Sequence, residues 1–208
     1  SDDEIAEIIL SLHSVSSSDL YRSNKEILRI INDGIFIQRD KNKDLFIQLI
    51  DFDDCEKNNF KTVKQLEIIG NEKRIPDLIL YINGIPLVLF EFKSAIRENA
   101  TIHDAYKQLT IRYARDIPEL MKYNAFCVIS DGINNKIGSI FSNYEFFYSW
   151  RRIDETNILD TTHDTLDSLI KGVLSKKRLL DIIHNFIFFP DSNEKKDKIK
   201  IGRASCRE

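Results

Sequence analysis

Pro76-Asp77-Leu78-Ile79-Leu80-Tyr81-Ile82-Asn83-Gly84-Ile85-Pro86-Leu87-Val88-Leu89-Phe90-Glu91-Phe92-Lys93 is the stretch that decides the fold. Two apolar runs flank an Asn-Gly pair, the strongest short-range signal for a β-hairpin, so two antiparallel strands are predicted. The second run is apolar on both alternating faces, as in a strand covered on both sides, yet Glu91 and Lys93 share one face at its end.

Charge at the end of a buried strand calls for a chemical reason. Mg²⁺ prefers hard oxygen ligands and is held by one or two carboxylates, which Asp77 and Glu91 supply. Lys93 is placed to orient an attacking water or to stabilise charge building on a phosphate. The competing reading is a solvated strand end with a surface ion pair worth ~0–1 kcal/mol. A bare Glu-x-Lys is weak evidence, since Glu194-Lys195-Lys196 repeats it in a polar stretch. The apolar run before Glu91 favours the metal-dependent phosphodiesterase site.

Register sharpens the expectation. A two-residue Asn83-Gly84 turn pairs Ile82 with Ile85 and sets Asp77 opposite Phe90, on the wrong face. The site therefore requires a three-residue loop over Asn83 to Ile85, pairing Ile82 with Pro86 and Asp77 with Glu91, or an equivalent bulge or bend near Asp77.

The 208 residues suit one sizeable domain, and the 42% hydrophobic and 30% charged fractions are those of a globular protein. No apolar run spans a membrane and no signal peptide is apparent, so a cytoplasmic location is expected. Cys55, Cys127 and Cys206 are too scattered for a disulfide framework. His13, His103, His163 and His184 lack metal-ligand spacing, and no zinc is expected. A net charge of −3 argues against a protein that coats nucleic acid, though not against a local basic strip. Lys73-Arg74, Lys93 with Arg97, Lys107 with Arg112 and Arg115, and Arg151-Arg152 are candidates for it, with scattered solvated charge as the alternative.

Helices are expected around Ile5 to Leu12 and from Lys25 to Asn32, the latter capped by Ser23 or Asn24. Strands are expected at Ile35 to Arg39, Leu45 to Phe52 and Thr62 to Ile69, followed by a charged turn at Gly70 to Ile75. A polar loop, Ser94 to Thr101, precedes a helix with Ala105, Tyr106, Leu109 and Tyr113 on its apolar side; a short helix starts at Pro118. Ala125 to Ser130 reads as a buried strand, with further strands at Ile137 to Ile140 and Tyr144 to Trp150. The pattern turns helical from Thr161. Residues 1–190 are read as one domain and 191–208 as a polar linker or tail, with Gly202 to Glu208 resembling a cloning scar. Gly-rich phosphate loops, Gly-x-Ser-x-Gly elbows and His-Glu-x-x-His pairs are missing, which excludes a nucleotide motor, serine hydrolase or zinc protease within this sequence.

Leu49-Ile50-Asp51-Phe52-Asp53, Arg74-Ile75-Pro76-Asp77, the hairpin through Lys93, Glu98 to Gln108, Tyr113 to Pro118, Ile129 to Gly132 and Trp150-Arg151 occur in this order. Together they resemble the amino-terminal nuclease domain of the restriction subunit of type I restriction-modification enzymes, over roughly Ser23 to Phe188. The resemblance implies a PD-(D/E)xK fold, α/β with a mixed central sheet flanked by helices, with Asp77, Glu91 and Lys93 as catalytic positions and Asp77 and Glu91 as metal ligands. It also implies Mg²⁺, with Mn²⁺ as a substitute, and double-stranded DNA as substrate. Methylation and specificity subunits are the implied partners, and an ATP-driven helicase motor is expected beyond Pro190. The alternatives are another nuclease of this fold, from DNA repair or recombination, and a catalytically silent DNA- or subunit-docking module.

One departure stands out. The family carries Gln and Tyr four residues apart on the helix after the Lys, whereas Gln108 and Tyr113 are five apart. On a regular α-helix that turns Tyr113 by ~140° from Gln108. Either a π-bulge restores the alignment or Arg112 takes the partner position. Gln108, Tyr113 and Arg112 are the candidates for DNA contact or for support of Lys93.

Overall fold

The computed structural model describes residues 2–39, 43–93, 101–150, 166–189 and 200–201. Its centre is a mixed five-stranded sheet in the order β3-β6-β7-β8-β9, with β3 at Phe60–Lys64, β6 at Leu78–Ile82, β7 at Ile85–Phe92, β8 at Phe126–Ser130 and β9 at Asn135–Gly138. β7 and β8 run parallel, and all other neighbours in the sheet are antiparallel. A parallel pair needs a long crossover, here built from helical segments between Ile102 and Met121.

Those segments cover one face. Ile79, Leu89, Cys127 and Ile129 from the sheet pack with Ala105, Leu109, Tyr113 and Met121. The opposite face, with Leu80, Ile82, Val88, Phe90 and Val128, is covered by α2 (Leu20–Asp33), α6 (Leu166–Val173) and α7 (Lys176–Asn185). β7 and β8 are therefore buried on both sides, as their unbroken apolar runs require. The expected α/β architecture, a mixed sheet flanked by helices, is what forms.

The hairpin reaches its register by a different route. Asn83 and Gly84 both take positive φ, 51° and 84°, the signature of a tight two-residue turn, and Ile82 pairs with Ile85. The expected three-residue loop does not form. Instead the ladder shifts by one residue between Tyr81↔Pro86 and Leu80↔Val88, leaving Leu87 extra. This bulge lies near the turn, not beside Asp77, yet it does the work required of the loop. The ladder then runs through Leu78↔Phe90, which continued one residue sets Asp77 opposite Glu91.

Other expectations change in detail. α2 starts earlier than predicted because Asp19, not Ser23 or Asn24, is its cap and accepts from the Arg22 amide. Asn24 is buried and donates to the carbonyls of Lys122 and Asn124. The predicted strands at Ile35 to Arg39 and Leu45 to Phe52 shrink to β1 (Ile35–Ile37) and β2 (Leu45–Ile47), a separate hairpin. The second ends at Ile47, and further along the expected strand Asp51 Oδ1 accepts from the amides of Asp53 and Asp54 in a local turn. Tyr144 to Trp150 is no strand: Tyr144–Phe146 is a 3₁₀ turn, and Tyr148 makes one isolated bridge to Ile137. The charged turn at Gly70 to Ile75 contains part of a small hairpin, β4 (Ile68–Ile69) with β5 (Lys73–Arg74). Lys200–Ile201, within the stretch read as a polar tail, pairs with Ile187–Phe188. The Ser94 to Ala100 loop, the onset of the helix at Thr161, and Arg97, Arg151, Arg152, His163 and Cys206 lie outside the described residues.

The β4–β5 hairpin is docked by backbone contact. The amides of Asn71 and Glu72 donate to the Asp116 carbonyl at 2.7 and 3.3 Å, and a β-carbon at Gly70 would collide with that same oxygen. Gly70→Ala should therefore destabilise the protein by about 1–3 kcal/mol, the usual cost of overpacking against a backbone that cannot yield. A shift of the denaturant midpoint at unchanged slope measures it.

Candidate active site

Glu91 ends the apolar run of β7, with its side chain only 2% exposed. A buried carboxylate must be hydrogen-bonded to be tolerated. Both of its oxygens are: Oε1 accepts from Lys93 Nζ at 2.7 Å and Oε2 from the Tyr113 hydroxyl at 3.0 Å. Lys93 Nζ also donates to Gln108 Oε1 at 2.8 Å, and Gln108 Nε2 donates to the Tyr113 oxygen at 2.8 Å. Glu91, Lys93, Gln108 and Tyr113 thus close a ring in which each side chain has two partners.

The ring exists because of a local change in helix geometry. α3 (Ile102–Lys107) opens with Thr101 in a reciprocal capping box with Asp104, then gives way to a π-helix over Gln108–Tyr113 before α4 (Ala114–Asp116). A π-turn aligns residues five apart, which compensates for the extra residue between Gln108 and Tyr113. Tyr113, not Arg112, reaches Gln108. Arg112 is exposed and is not part of the ring.

Asp77 sits beside this ring. Its Oδ2 accepts from the Phe92 amide at 2.7 Å, so the carboxylate is pinned to the backbone between Glu91 and Lys93. Its carbonyl accepts from the amide of Gln65, a residue held at a left-handed φ of 51° where β3 ends. Burial pushes the Glu91 carboxyl above the usual carboxylate range; the Lys93 hydrogen bond opposes this, and the nearby Asp77 charge adds to it. Burial, reinforced by Glu91, also raises Tyr113. Hence Tyr113 stays a neutral donor.

Two acidic oxygen groups that repel each other across one strand pair suit a divalent cation. Among the described residues no cluster of three or more Asp, Glu, His or Cys forms, so the side-chain ligands of such a site would be the pair Asp77 and Glu91. Mg²⁺ binds in this way, keeping several waters and taking substrate oxygens. The donor set fits the ion expected from the sequence.

The predicted basic strip is mostly committed elsewhere. Arg74 and Arg115 both bond the buried Asp116 carboxylate, with Arg74 Nη2 and Arg115 Nε each at 2.6 Å, and Lys73 pairs with Glu67. Of the described candidates, Lys107 and Arg112 remain exposed and outside these pairs. The Arg74–Asp116 contact was not foreseen from the sequence. It ties the segment leading into Asp77 to the end of the helix that carries Tyr113, and Tyr113 also lies 3.3 Å from the Ile75 carbonyl.

Comparison with known proteins decides the family. Residues 3–146 match the sequence model described as the type I restriction enzyme R protein N terminus. The chain belongs to that family. It is 35% identical over 189 residues to the HindI endonuclease subunit of Haemophilus influenzae, a match covering 88% of this chain and 18% of that protein. It is 33% identical over 186 residues to the putative MjaVIIIP endonuclease subunit of Methanocaldococcus jannaschii, and 29% identical over 197 residues to the putative MjaIXP subunit of the same organism. Each match covers 84% of this chain. The chain spans under a fifth of the length of these relatives. Among the described residues no helix is long and apolar enough to cross a membrane.

The raised Glu91 carboxyl has a measurable consequence. Above its ordinary value of 4.5 the native state holds this proton more tightly than the unfolded chain does, so Glu91 lowers stability as pH rises through the shifted range. A glutamine at position 91 can accept from Lys93 and has no proton to lose. The stability of Glu91→Gln relative to the native chain should therefore grow from pH 5 to pH 8, as read from chemical denaturation at both pH values.

Proposed function

We propose that this chain is the Mg²⁺-dependent DNA endonuclease domain of a type I restriction subunit, hydrolysing phosphodiester bonds of double-stranded DNA. The observation that carries this reading is the pinned Asp77 carboxylate beside the closed Glu91–Lys93–Gln108–Tyr113 ring. A divalent cation, Mg²⁺ or in its place Mn²⁺, supplies Lewis-acid stabilisation of phosphate charge when bound. Asp77 and Glu91 are its ligands. Tyr113 keeps Glu91 in one orientation, and Gln108 keeps the Lys93 ammonium over the carboxylates.

An ammonium has three donors, and among the described residues Glu91 and Gln108 take two of them. The third is left for a water or a phosphate oxygen, which is how Lys93 would assist attack. Lys107 and Arg112 are exposed on the same helical segment and are offered as phosphate contacts outside the ring. Relatives that are five times longer leave room for the ATP-driven translocase to which cleavage would be coupled, with methylation and specificity subunits as further partners. A cytoplasmic setting, where DNA, Mg²⁺ and ATP meet, belongs to the same proposal.

The test uses the parent chain assembled with its partner subunits. Asp77→Asn and Glu91→Gln should each lower DNA cleavage at least about 100-fold while ATP-driven translocation continues, because they remove ligand charge and leave the fold intact. Cleavage at the native rate by both variants would overturn the assignment of the chemistry to this site.

A further inference from the structure

The two oxygens of Glu91 are not equivalent. Oε2 faces Tyr113, which is fully buried on the helix side, whereas Oε1 faces Lys93, whose side chain is 20% exposed. Ligand access to the carboxylate is therefore from the Lys93 side. The group already on that side is a cation.

We propose that the Lys93 ammonium and the divalent cation compete for Glu91 Oε1, so that Lys93 acts as a built-in counter-ion that holds the cation affinity of the empty site low. This deepens the nuclease reading and rests on Asp77 and Glu91 being the ligands. With Lys93 in place the two carboxylates and the ammonium carry one net negative charge; without it they carry two. A divalent ion added to all three leaves one net positive charge in a partly buried place. An anionic phosphodiester cancels that charge and, by taking a hydrogen bond from Nζ, draws the ammonium off Oε1.

Cation and phosphodiester should then each strengthen the binding of the other, as linkage requires. Gln108 makes the exchange feasible. Its Oε1 holds Nζ at 2.8 Å independently of Glu91, so the ammonium can leave the carboxylate without losing its place in the site. Tyr113 is the positioning residue, since its hydroxyl keeps Oε2 turned away and makes Oε1 the oxygen in contention.

Mn²⁺ binding to this chain, without DNA, tests the inference by calorimetry or by the electron paramagnetic resonance signal of free Mn²⁺. Lys93→Met should bind Mn²⁺ about tenfold more tightly than the native chain, within the usual range of site-to-site coupling. A purely structural Lys93 would predict unchanged or weaker binding. Lys93→Gln, which keeps polar contact with Gln108, should show the same direction and replaces Lys93→Met if circular dichroism shows that variant unfolded. Affinity in the Lys93 variants equal to or below native, with Asp77→Ala weakening binding in every background, overturns the competition and leaves the ligand assignment standing. Absence of Mn²⁺ binding in every variant removes both.

Discussion

A carboxylate buried at the end of the central strand is the constraint from which the rest of this structure follows. Glu91 lies where the sheet is covered on both faces, so its charge must be satisfied by side chains rather than by water. Lys93 comes from the next residue on the same face of the strand, but one ammonium leaves the second oxygen unanswered. Tyr113 answers it from the crossover helix, and Gln108 links the two donors. Losing Lys93 or Tyr113 strands one oxygen of Glu91, whereas each of these donors keeps a second partner in Gln108 when its bond to Glu91 is broken.

Two single-residue insertions bring the parts of the site into phase. In the hairpin, Leu87 is extra, which moves Asp77 from opposite Phe90 to opposite Glu91. In the crossover helix, the π-turn absorbs the fifth residue between Gln108 and Tyr113. A strand alternates every two residues and an α-helix repeats every 3.6, so a regular hairpin would put Asp77 on the far face and a regular helix would turn Tyr113 away. Both irregularities act on the same few ångströms of space around Glu91. Irregular backbone of this kind is a usual device for aiming functional side chains.

How much of this was legible in the sequence follows from the range of the interactions involved. The Asn-Gly turn, the buried strand and the convergence of Asp77, Glu91 and Lys93 depend on neighbours within one hairpin, and local pattern displayed them. The five-residue spacing of Gln108 and Tyr113 narrowed the helix to two options, of which the π-turn formed and the Arg112 alternative did not. The bulge does have a local signal: Pro86 lacks a ladder donor, and proline inside a sheet sits at edges or bulges, so its position beside Leu87 marks the irregularity. The cap of α2 is not legible locally because Asp19, Ser23 and Asn24 are all good capping types, and only the distant Lys122 and Asn124 carbonyls explain why Asn24 is buried instead. The pairing of Arg74 and Arg115 is hidden from the sequence for a similar reason. Nothing near Arg74 or Arg115 in sequence except Asp116 itself announces that both guanidiniums share one buried carboxylate.

That shared carboxylate also explains how strand and helix keep their relative height. Asp77 is carried by the sheet and Tyr113 by the helix, and a slide of about one ångström between them would open the Tyr113–Glu91 bond from 3.0 Å to beyond hydrogen-bonding range. Arg74 lies three residues before Asp77 and Asp116 three residues after Tyr113, so their contact spans the gap just outside the ring. The Asp116 carbonyl repeats the connection by accepting from Asn71 and Glu72, and Gly70 lets that oxygen come close. Side-chain charge and backbone hydrogen bonds thus fasten the same two elements at one place. The ring can therefore be rigid although its members come from a hairpin and a helix that share no tight turn, and the free side of Lys93 is left as the part of the site able to move.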